Sequence, residues 1–195
     1  MAFGPSERAA QPSKRKPRDL SKLIVIMYVS FSLLAGGWAA AQIASGSSSL
    51  GGTFAAAAAS GGMAEVQLGQ LAQQNGNSDA VKSFGQQMVT DHSKAGDDLK
   101  NVAQKEGMAL PMNISKEDQD TYDRLSQLHG AQFDQKYAQD MVKDHQKDIA
   151  DFQQEASSGK NASLKDFASR TLPTLKNHLR MAQDMEHKVS AGSGY

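Results

Sequence analysis

Three histidines and one glutamate hold the chemistry that this chain offers: Glu65, His92, His145 and His178. His92 and His145 close two similar stretches, Phe84-Gly-Gln-Gln-Met-Val-Thr-Asp-His92 and Tyr137-Ala-Gln-Asp-Met-Val-Lys-Asp-His145. Each of the four lies on a stripe that is otherwise apolar. Imidazole is costly to bury without a partner, and it is also a good ligand for zinc, copper, iron or nickel. The group therefore reads in two ways. It is either a hydrogen-bonded network that fixes helix register, or one carboxylate and three imidazoles around a divalent transition metal.

The neighbouring residues narrow the chemistry. Met88 and Met141 stand one turn before His92 and His145, and Met181 follows His178 by three. Thioether with imidazole would favour Cu(I), while methionine at this spacing is also ordinary core filler. A paired-iron site needs Glu-x-x-His motifs. Here the residues three before the histidines are Val89, Val142 and Leu175, so the bridging carboxylates are missing. Asp91 and Asp144 precede two of the histidines but point about 100° away, so surface ion pairs with Lys94 and Lys147 are expected. With no cysteine in the chain, disulfides and thiolate sites are excluded.

Helices must position these groups. The first is expected over Phe54 to Gln74, ended by Asn75-Gly76. The second starts from Ser78 as N-cap and runs to Glu106, with Gly107 as its stop. Its stripe is Val81, Phe84, Met88, His92, Ala95, Leu99 and Val102, in steps of three and four. Ser115 and Asp118 form a capping-box pattern that opens a short helix ending near His129-Gly130. The third long helix is expected over Ala131 to Ser157. A fourth, capped by Asn161 or Ser163, runs to about Val189, with Pro173 bending it ahead of His178.

At about 1.5 Å per residue, His92 lies roughly 21 Å from the start of its helix and Glu65 roughly 15 Å from the adjoining end of the first. His145 and His178 lie about 18 Å and 25 Å from the ends that meet each other. All four residues thus fall at one depth. Tight turns pair the first two helices and the last two, with one long crossover between the pairs. The expected fold is all-α, a ferritin-like four-helix bundle with a short extra helix in the crossover between helices 2 and 3.

The amino terminus reads differently. Lys14, Arg15, Lys16, Arg18 and Lys22 precede an apolar run from Leu23 to Leu34, and Ala39-Ala40-Ala41 follows. That is the pattern of a signal peptide over residues 1–41, cleaved after Ala41. The alternative is an uncleaved anchor, which would be the chain's one contact with a membrane. Residues 42–53 read as a Gly/Ser linker, 54–189 as the bundle and 190–195 as a flexible tail. Residues 1–41 hold six of the 21 basic and two of the 21 acidic residues, so the remainder carries 15 against 19, a formal charge of −4. Such a balance argues against nucleic acid as a partner.

Residues 54–185 resemble the exported bacterial domain-of-unknown-function 4142 family, whose members are often labelled outer-membrane proteins. The resemblance is carried by Met63-Ala-Glu65, Met88-Val-Thr-Asp-His92, Gly130-Ala-Gln-Phe133-Asp134-Gln-Lys-Tyr137, Met141-Val-Lys-Asp-His145 and Leu172-Pro173-Thr-Leu-Lys-Asn-His178-Leu179. It implies a ferritin-like bundle and export to the periplasm or cell envelope, and brings no settled reaction. From the residues, the first reading of function is a non-catalytic exported bundle with a buried Glu/His cluster, serving structure, stress or an envelope or protein partner. The second is a periplasmic protein that binds Zn, Fe or Cu through Glu65, His92, His145 and His178. A degenerate ferritin-like oxidase is the third, and the absent carboxylates weigh against it.

Overall fold

The 3.6-residue stripes fold as helices throughout. A computed structural model, which describes Met1 and residues 45–192, contains α1 (Ser45–Asn75), α2 (Asp79–Glu106), α3 (Lys116–Ser126), α4 (Gly130–Ser158) and α5 (Ala162–Gly192). Among the described residues there is no strand. The chain divides into two units, Met1–Trp38 and Ala39–Tyr195, and the helices belong to the second. The expected leader over 1–41 lies outside the described residues apart from Met1.

The expected terminators are at work. Ser78 accepts from the Val81 amide and opens α2, and Gly107 closes it with φ 65°, a left-handed turn that glycine adopts without a Cβ clash. Ser115 and Asp118 form the reciprocal capping box of α3. Asn161, rather than Ser163, caps α5 by accepting from the Leu164 amide. Two boundaries differ from expectation. α1 begins at Ser45, inside the segment read as linker, because once the alanine run Ala55–Ala59 has nucleated a helix, each flanking residue needs only propagation, although the Ser/Gly flank propagates poorly. α5 reaches Gly192, past the end expected near Val189 and into the segment read as a tail.

Backbone and side-chain ties fix how the helices run. The turn between α1 and α2 meets the start of α4 in an isolated bridge between Gly76 and Gly130. Asp134, buried near the start of α4, accepts from the amides of Asn77 and Ser78, each at 2.8 Å. At the other end Glu106 accepts from Asn161 and Ser163, both at 2.6 Å. So α2 and α4 run parallel, each antiparallel to its hairpin partner, and the segment carrying α3 travels back along the bundle. α1 packs on α2 and α4, and α5 packs on α4 and α2. The expected crossover connectivity is the one observed. α1 and α2 approach so closely that a Cβ at Gly69 would stand 2.6 Å from the Gly85 carbonyl oxygen.

Asp134 entered the sequence reading only within a matching stretch, without a role of its own, and it should matter. Asp134→Ala strands two amide donors that now bond a carboxylate, an interaction worth roughly 1.5–3 kcal/mol per bond. The expected loss is about 3 kcal/mol in urea unfolding, with helical content unchanged below the transition. A loss under about 0.5 kcal/mol would show that water serves those amides equally well.

The apolar interior falls into two clusters. One holds Leu68, Leu71, Phe84, Met88, Phe133, Tyr137, Met141 and Met185. The other holds Leu99, Phe152, Leu164, Phe167 and Leu175. On α2, α4 and α5 the histidine sits between the members of one cluster and those of the other. A polar layer thus interrupts a dry core at one level.

Candidate metal centre

Each long helix supplies one group to that layer, as the depth argument expected. His145, His178 and Glu65 are fully buried, and His92 is 7% exposed. The imidazole centroids stand 5.4 Å apart for His92–His178 and His145–His178, and 5.8 Å apart for His92–His145. One ring nitrogen from each lies within 4.8 Å of the others.

Hydrogen bonds determine which nitrogens are available. Nδ1 of His145 lies 3.0 Å from the carbonyl oxygen of Met141, to which it donates. Nε2 of His178 donates to Oδ2 of Asp91 at 2.8 Å. The opposite nitrogens, Nε2 of His145 and Nδ1 of His178, are left as bare lone pairs without a partner, and Nε2 of His92 is likewise buried and unpartnered. Among protein atoms the polar network is thus satisfied only in part. Three nitrogens and both Glu65 oxygens make no protein hydrogen bond within 3.5 Å.

Electrostatics keeps the imidazoles neutral. Burial, reinforced by His145 and His178, lowers His92 to about 3. Burial and the neighbouring His178 lower His145 to about 4. For His178, burial outweighs the opposing bond to Asp91, and its value also falls. At Asp91 burial pushes upward, but the bonds from Gln87 and His178 together hold the carboxylate below its usual range. The His178–Asp91 contact is thus a neutral N–H donating to a carboxylate. This is how metal-bound histidines are commonly oriented.

Asp91 corrects the expected surface ion pair with Lys94. α2 lies beside α5, so a residue one step round from His92 faces the α2/α5 groove and meets His178 instead. Lys147 likewise pairs with Asp151, at 3.1 Å, rather than with Asp144.

Glu65 is placed differently from the imidazole nitrogens. Its Oε1 is 3.9 Å from Nδ1 of His145, the nitrogen committed to Met141, and Glu65 is not in the three-histidine group. Burial, then contact with Asp144 and repulsion from Asp144, Asp148 and Asp118, pushes its carboxyl well above the usual range. It is a neighbour of the centre whose environment favours the protonated form, on the side of an acidic group that sequence reasoning missed. Asp148 in that group is pushed up to about 7 by burial and by Asp144. Met88 and Met141 are buried in the apolar cluster of Phe84 and Tyr137. The sulfur of Met181 accepts from Asn177 at 3.4 Å, on an exposed part of α5.

A family model described as "Domain of unknown function (DUF4142)" matches residues 38–185, which is most of the chain. The chain belongs to the DUF4142 family. The DUF4142 match takes in all four polar residues of the layer and every described helix at least in part. No curated protein and no solved structure matches this DUF4142 chain. No described helix is long and apolar enough to cross a membrane.

Proposed function

We propose that this bundle binds one divalent transition-metal ion through His92 Nε2, His145 Nε2 and His178 Nδ1. Two observations carry the reading: one ring nitrogen from each of three buried, neutral imidazoles lies within 4.8 Å of the others, and each ring has a buried nitrogen without a protein hydrogen-bond partner. An unmet buried polar atom costs about 1–3 kcal/mol, so three of them at one point are expensive unless something takes their lone pairs. Ring spacing supports it as well. Metal–nitrogen bonds of about 2.0–2.1 Å would set imidazole centroids roughly 5–5.5 Å apart, close to the distances seen.

All-nitrogen donors suit zinc, copper, iron or nickel, and three protein ligands leave a fourth position for water or an exogenous ligand. Glu65 serves as a neutral neighbour of His145 in this reading rather than as the fourth ligand. Placement among ferritin-like folds rests on the crossover connectivity. Export to the periplasm or envelope rests on the leader-like residues 1–41. An oxidase role stays disfavoured, since Val89, Val142 and Leu175 occupy the bridging positions.

Elemental analysis of protein purified without a histidine tag tests the proposal. About one transition-metal equivalent per chain is expected, and none in the triple variant His92→Leu, His145→Leu, His178→Leu. A parent protein that remains metal-free after incubation with zinc, copper and iron in turn would refute it.

A further inference from the structure

Beside His92 lies a cavity of about 30 Å³, walled by Gly61 and Gly62 of α1, Gly96 of α2, Asp148 of α4 and Leu175 of α5. That is room for about one water. A second cavity, a cleft of about 140 Å³, runs between α1, α3 and α4 and is bordered by Glu117, Asp118, Asp144, Asp148 and Asp151. Glu117, Lys147 and Asp151 are exposed, so the cleft reaches the surface. Ala57, Ala58, Gly61, Asp148 and Phe152 border both cavities.

The glycines here differ from Gly69 and Gly85. Those two let backbones touch, whereas a Cβ added at Gly61, Gly62 or Gly96 would meet nothing within 4 Å. Close packing does not account for them; they leave open space next to an imidazole whose Nε2 is unpartnered. The cleft leading there sets five carboxylates against one ammonium, that of Lys147. Ser60 and Ser115 bond the Asp118 carboxylate and fix it at the rim, at 3.1 and 2.7 Å.

We infer that the acidic cleft, Asp148 and the Gly61–Gly62 gap form the passage by which a divalent cation reaches the three imidazoles. The cleft gathers the cation from water, because clustered like charges on low-dielectric walls raise the local counter-ion concentration. Asp148 passes it from oxygen to nitrogen donors, being the one carboxylate that borders both spaces. The missing side chains at Gly61 and Gly62 leave the width. This rests on the metal-binding reading above, and it concerns the rate of loading rather than the final affinity.

Stopped-flow mixing of metal-free protein with Co(II), followed by visible absorption, tests it. Gly61→Leu should slow loading about tenfold or more, and slow chelator-driven release equally, so that the equilibrium affinity is kept. Gly61→Ala should act in the same direction but less. Asp148→Asn should slow loading about tenfold and weaken its salt dependence. Circular dichroism checks that each variant is folded. A loading rate in Gly61→Leu equal to that of the parent overturns the passage, whatever Asp148→Asn does. Failure of the parent to take up cobalt at all is a different outcome, and it refutes the metal centre instead.

Discussion

Zinc present at a thousandfold excess over its dissociation constant is expected to stabilise the metal-free protein by about 4 kcal/mol, as mass action requires for a ligand that binds only the folded state. The unfolded chain cannot match this, because the three histidines are far apart in sequence and only folding brings their nitrogens within 4.8 Å. Urea unfolding with and without zinc measures the difference. The triple His→Leu variant should show none. Asp91→Ala sharpens the result. Loss of the acceptor for His178 Nε2 frees the ring to turn and to change tautomer, and such losses typically reduce metal affinity 10–100-fold. At a fixed zinc concentration the stabilisation should fall by about 1.4–2.7 kcal/mol. An undiminished effect in Asp91→Ala would mean that His178 does not offer Nδ1 to the metal.

The sequence made the depth of the site legible and left its orientation hidden. Steps of three and four along α2, α4 and α5 put His92, His145 and His178 on core faces, and counting from the turns put them at one level. Both statements depend only on helix geometry. Which helix neighbours which is a tertiary fact, and everything sideways depends on it. Asp91, one step round from His92, looked like a surface partner of Lys94 because α5 beside it was not yet in place. Glu65 was correctly placed in the layer, yet its carboxylate faces the committed nitrogen of His145. The acidic group of Asp118, Asp144 and Asp148 comes from two different helices, α3 and α4, and no single-helix pattern could assemble it. The early start of α1 was hidden for another reason. Serine and glycine are poor helix formers, and the alanine run that carries the helix through them lies downstream.

Asp148→Asn is expected to exceed the parent in stability by about 2–4 kcal/mol at pH 8, and to equal it near pH 4. The folded protein holds this carboxyl at about 7, against an ordinary value of 3.8, through burial and repulsion from Asp144. Between those values the folded state keeps a proton that the unfolded chain has released. Parent stability therefore falls as pH rises from about 4 to 7 and stays reduced above 7. A shift of about three units at 1.36 kcal/mol each sets the upper figure. Asparagine has the shape of the carboxyl and never ionises, so the variant is spared that loss. His92 and His145 act with the opposite sign. Their lowered values, about 3 and 4, add stability above pH 6.5 that is lost on acidification. Those terms are common to both proteins and cancel in the difference. Urea midpoints of the metal-free proteins from pH 4 to 8 give that difference directly. A gap independent of pH would mean that Asp148 ionises as freely in the fold as in water, and that the neck beside His92 is wet rather than enclosed.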